Sequence, residues 1–115
     1  MNLLAKSMNL LLGKTEQAME RPRTSPANLC RLARQELETS LRFGLAFMVR
    51  VDSINAACHY LEELGPLCLR HGHKADSRWE ITNKLATDAR DDVGWWRDCV
   101  TMALDKLDQL EDAVK

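Results

Sequence analysis

The sequence predicts an all-α fold. Three observations carry that expectation. Apolar residues recur at heptad spacing through two long segments, only five Gly and three Pro occur in 115 residues, and Ser-Pro and Asp/Ser signals stand where helices should open. The chain is 45% hydrophobic and 29% charged with a net charge of −1, which is ordinary for a folded domain and far from a disordered one. A near-neutral balance excludes a general nucleic-acid binder, which needs excess Lys/Arg against phosphate. No apolar run approaches the roughly 18 residues of a membrane span. The length fits one domain, 1–115.

The elements follow in order. Residues 2–19 carry Leu4, Met8, Leu11 and Leu12 at helical spacing and read as a short amphipathic helix. Lys6, Ser7 and Asn9 interrupt the apolar run and no A-x-A-like site follows, so a signal peptide is not expected. The polar face lacks a Lys/Arg cluster, which argues against membrane-surface binding. Residues 20–26 (ERPRTSP) read as a linker, with Ser25 as N-cap and Pro26 at the first helical position.

From Cys30 a heptad runs through Cys30, Leu37, Gly44, Val51 and Cys58, and through Ala33, Ser40, Phe47, Ile54 and Leu61. This pattern predicts one long helix over 27–64, ending before Gly65-Pro66, with a break at Asp52-Ser53 as the alternative. Within it, 41–49 (LRFGLAFMV) is apolar on nearly every side except Arg42. Such a segment must be covered on several faces. Residues 65–75 read as a connection.

The heptad then returns. Trp79, Ala86, Val93, Val100, Leu107 and Val114 form one set, and Thr82, Ala89, Trp96, Ala103 and Leu110 the other. They predict a second long helix over 76–114, opened by Asp76 or Ser77, with a capping box from Ser77 to Glu80. Asp91-Asp92 and Gly94 mark where it would break. A hairpin of two long helices buries one seam only. Pairing two hairpins makes a four-helix-type bundle, so a homodimer is expected.

Charge is uneven. Residues 1–74 hold ten Lys/Arg against seven Asp/Glu, a balance of +3, and residues 75–115 hold six against ten, a balance of −4. That split favours antiparallel packing, within the chain or between copies, or else two solvated faces. The four cysteines, Cys30, Cys58, Cys68 and Cys99, are below disulfide-scaffold density and read as free thiols of a cytoplasmic protein.

Candidate chemistry is sparse. CHYLEELGPLCLRHGH gathers Cys58, His59, Cys68, His71 and His73 within sixteen residues. Cys68-x-x-His71 has metal-ligand spacing, and Cys58 and His73 complete a candidate zinc set. Structural zinc sites usually show two tight pairs, however, and Cys58 falls on the apolar heptad face. A Cys–His nucleophile would need a lowered thiol pKa and an oxyanion hole, and no Gly-rich nucleophile motif is present. Paired acids diverge by about 100° on a helix, and no phosphate-binding loop or E-x-x-H pair occurs. The expectation is therefore a non-enzyme without cofactor.

Trp95-Trp96 is the other unusual feature. Trp95, Cys99 and Met102 form a stripe at i, i+4, i+7, either the edge of the core or a patch for a partner. The residues expected at a partner or dimer interface are Leu41, Phe43, Phe47, Met48, Trp79, Trp95 and Trp96. The 41–49 stretch is the expected homodimer core, and Trp95 is expected to face another partner.

The run GWWRDCVTMALDKLDQLEDAV, with the small size, the helical pattern and the Leu/Arg/Asp-rich character, resembles the QslA-type quorum-sensing anti-activators of bacteria. The resemblance covers most of the chain in length and character. It implies a helical homodimer that binds the ligand-binding region of a LuxR-type (LasR-like) transcription activator, disrupts that activator's dimerisation and prevents its DNA binding. No family motif maps onto a position here, so no functional residue is carried over. From the residues themselves the expectation is a protein-binding module. A helical adaptor, chaperone or phage-type inhibitor of another partner, and a zinc-binding helical protein, stay open as alternatives.

Overall fold

Ser25 caps the first described helix: its Oγ accepts a hydrogen bond from the Asn28 amide at 3.0 Å, and Pro26 occupies the first turn, where its missing N–H costs nothing. The structure, a computed structural model, describes residues 25–91 and 94–115. The expected helix over 2–19, most of the expected linker, and Asp92 and Val93 lie outside the described residues. Within them the chain is all-α, with four helices: α1 Pro26–Ser40, α2 Phe47–His71, α3 His73–Asp91 and α4 Trp96–Val114.

Each helix packs on the next, and α4 closes against α1. One chain thus supplies all four helices, because both long segments are broken. The first break is at 41–46, not at Asp52-Ser53. Leu41 and Arg42 close α1 by donating N–H to the carbonyls of Glu38 and Thr39. Gly44 then takes φ +79°, the left-handed region that favours glycine, so the heptad cannot pass through it as helix. The second break follows Asp91, and α4 restarts at Trp96.

The expected stop at Gly65-Pro66 does not occur; α2 runs through it to His71. Pro66 lacks the N–H that would bond the Glu62 carbonyl, and its ring crowds that turn. Tertiary packing offsets the loss. The Trp79 indole lies against Gly65, where a Cβ would stand 2.9 Å from its ring, and Nε1–H donates to the Leu61 carbonyl at 2.7 Å. The reversal comes instead at Gly72, φ +134°.

The core follows the heptads on either side of the breaks. Leu37, Leu61, Val100, Leu107 and Leu110 are fully buried, with Leu29 and Leu64 added from outside the two sets. The two polar heptad residues are buried and satisfied locally: Ser40 Oγ donates to the Leu37 carbonyl at 2.6 Å and Thr82 Oγ1 to the Arg78 carbonyl at 2.8 Å. Arg34 of α1 reaches Asp108 at 2.6 Å and Glu111 at 2.7 Å on α4, one place where a cation of the first half meets the acidic second half.

Candidate interaction surface

Because α1 to α4 alternate in direction, the 41–46 break and the turn at 94–95 come to the same end of the bundle. Both leave apolar side chains outside the core. Phe43 is fully exposed, Phe47 is 56%, Met48 63% and Trp95 66% exposed, and Val49 is also at the surface. Single exposed apolar residues are ordinary, but a cluster at one end of a small domain marks a contact surface.

A notch lies beside Phe47 at this end. Phe47, Arg50, Val51 and Ile54 of α2 form one wall, Ala89 and Arg90 of α3 a second, and Trp96 of α4 the third. Its volume is about 40 Å³. Trp96 is half-buried between two cations: the guanidinium of Arg50 stands 4.5 Å from its ring centre and that of Arg97 4.8 Å. Arg50 also sits 6.0 Å from the Phe47 ring centre. Arg90 is held by Asp91 at 3.0 Å. The Nε of Arg50 is shielded from solvent and has no hydrogen-bond partner.

The seven expected interface residues divide. Phe43, Phe47, Met48, Trp95 and Trp96 gather at the break end. Leu41 is half-buried against the core. Trp79 does not join them: it faces α2 and serves the fold, because Gly65 leaves it room and the Leu61 carbonyl takes its N–H. Phe47 and Trp96, each expected on a heptad seam, line one notch. Sequence reasoning missed Arg50, Val51, Ile54, Ala89 and Arg90 as lining residues. A signal for Arg50 was present, since it stands i+3 from Phe47 on the same helix face and is a lone charge after an apolar run.

The Cys/His cluster is not assembled. Cys58 and Cys68 are buried on the core side, whereas His71 and His73 are exposed at the Gly72 turn. No group of three or more His, Cys, Asp or Glu is placed to hold a metal ion among the described residues. Burial pushes the Cys30 thiol up to about 12 and the Cys68 thiol up to about 11, and raises Cys58 as well. These thiols stay protonated, the wrong state for a nucleophile or a zinc ligand. None of the four cysteines is in a disulfide, and no helix among the described residues is long and apolar enough to cross a membrane.

Fold and surface together define a class: an all-α bundle with an exposed aromatic and cationic patch at one end. No family model, curated protein or solved structure matches the chain.

Proposed function

We propose that this protein is a protein-binding negative regulator that sequesters a LuxR-type quorum-sensing transcription activator. The break-end surface covers apolar area that the activator uses to dimerise, and the activator then fails to hold DNA. The observation that supports a binding role is the exposure of Phe43, Phe47, Met48 and Trp95 at the end of the bundle where Phe47 and Trp96 line one notch. Aromatic and Met side chains of this kind dominate recognition surfaces, and displacing a dimer partner takes an interface of roughly 1,000 Å² or more. The partner's identity comes from the resemblance of the 94–114 run to the anti-activators. A homodimer belongs to the same reading, with the two roles sharing one surface and therefore competing.

The experiment is a titration of purified protein into a LuxR-type activator bound to labelled operator DNA. Loss of the DNA complex, with recovery of an activator–regulator complex by size exclusion, is the expected result. Unchanged DNA binding at saturating protein overturns the proposal. Light scattering over a concentration series reads the homodimer as twice the chain mass.

A further inference from the structure

The notch has a feature that packing alone does not explain. Arg50 is held between Trp96 and Phe47, and its Nε is sealed from water without a partner. A buried N–H left unmade is costly. Among the described residues Asp52, two positions from Arg50 in the chain, does not pair with it, Asp91 is engaged by Arg90, and neither Arg50 nor Arg97 forms an ion pair. The guanidinium is already ordered by its stack on the indole, so an incoming carboxylate would meet a fixed donor with little entropy left to lose.

The size of the notch narrows the occupant. About 40 Å³ is far below the roughly 300–1,000 Å³ of a small-molecule pocket. It takes the tip of one apolar side chain. The exposed aromatic and Met residues around it extend the contact sideways, which suits a polypeptide and leaves a small ligand mostly in water.

We infer that the Arg50–Trp96 notch is an anchor site for an acidic-apolar segment of a partner protein: one apolar side chain enters between Val51, Ile54 and Ala89, and a neighbouring carboxylate of that segment binds Arg50. This deepens the regulator reading and rests on its claim that the break end binds protein. A partner helix with Leu and Glu four residues apart has the required spacing, since i and i+4 share a face.

The test uses two fluorescein-labelled, alanine-based helical peptides, one with Leu and Glu at i and i+4 and one with Gln replacing Glu, titrated into the full chain by anisotropy. The Glu peptide should bind about tenfold more tightly, the effect of one charge-assisted hydrogen bond. Arg50→Met should bring the two peptides to the same affinity, while Arg50→Lys keeps part of the preference; circular-dichroism melting confirms that both variants fold. Equal binding of the two peptides, no binding of either, or discrimination that survives Arg50→Met overturns the assignment. If a second copy of this chain fills the notch, light scattering shows self-association that the Glu peptide competes and Arg50→Met weakens, which also overturns a foreign occupant. If the peptides fail to discriminate while a LuxR-type activator is still captured, only the anchor chemistry falls. If they discriminate and no activator is captured, only the partner's identity falls.

Discussion

The two ends of the bundle handle the same sequence problem in opposite ways. Each end contains a Gly, within a segment of helical pattern, close to an aromatic residue. Toward the Gly72 turn, the aromatic is drawn in: Trp79 lies on Gly65, donates to the Leu61 carbonyl, and carries α2 across Pro66. At the other end, Gly44 takes a left-handed conformation, the helix stops, and Phe43, Phe47 and Met48 are left outside. The difference shows that a Gly-containing break ends a helix only where nothing packs across it. It also separates a half that is built for stability from a half that presents a surface.

The largest effect is expected where the stable half is deepest. Leu61 is fully buried, and Leu61→Ala should cost about 2–5 kcal/mol from lost transfer energy and the cavity left behind. Chemical denaturation reads it. A cost near zero would mean that this half collapses freely and is not the more tightly packed one.

The buried thiols give the next effect. Cys30, pushed up to about 12, and Cys68, pushed up to about 11, both belong to the half toward the Gly72 turn. In the unfolded chain each ionises near the ordinary 9.0. Above that pH the unfolded state loses protons that the folded state keeps, so deprotonation favours unfolding. Stability from this source is whole below pH 9 and falls as the pH climbs toward the folded values. The slope is about 1.4 kcal/mol per pH unit for each thiol. Denaturation midpoints should therefore drop from about pH 9 up to about pH 11, and Cys30→Ala should flatten the drop. A midpoint that ignores pH in this range would show that the thiols are not buried as described.

Trp79→Phe should cost about 1–2 kcal/mol, because the Leu61 carbonyl loses its indole donor beside a proline that already removes one helical bond. The melting temperature reads this loss. Amide exchange through the Leu61–Pro66 turn should quicken at the same time. If stability falls without local exchange, the tryptophan acts through packing alone and the bridge across Pro66 is not what continues α2.

Much of this was legible in the sequence, for a physical reason. Heptad spacing reports which side chains can share a seam, and Leu37, Leu61, Val100, Leu107 and Leu110 all proved buried. The same spacing cannot report where the backbone leaves the helix. Gly44 and Phe47 kept the period at 41–47 and yet lie at the surface, because φ at Gly44 overrides the count. The breaks in turn decided that one chain supplies four helices. Trp79 shows the converse limit: an aromatic on the seam reads as core or interface, and only the vacancy at Gly65 across the bundle settles which. The notch was the least legible part. Its walls come from three helices, and Arg50, Ala89 and Arg90 meet only because both breaks fall at one end.

The smallest stability effect should come from the presenting half, and it separates surface from core most cleanly. Phe47 is more than half exposed, so Phe47→Ser removes little packing and should change stability by no more than about 0.5 kcal/mol. The same change removes an apolar wall of the notch and one ring beside Arg50. Partner binding should therefore weaken by about tenfold or more, as for a truncated interface hot spot, while the melting temperature barely moves. Trp95→Ser should behave alike, since its side chain is also largely outside the core. A control from the other half, Leu61→Ala, should show the reverse pattern below its melting point: lower stability with retained affinity. If Phe47→Ser unfolds the protein, the break end belongs to the core after all. If it leaves both stability and binding unchanged, the exposed aromatics are bystanders and the contact surface lies elsewhere on the bundle.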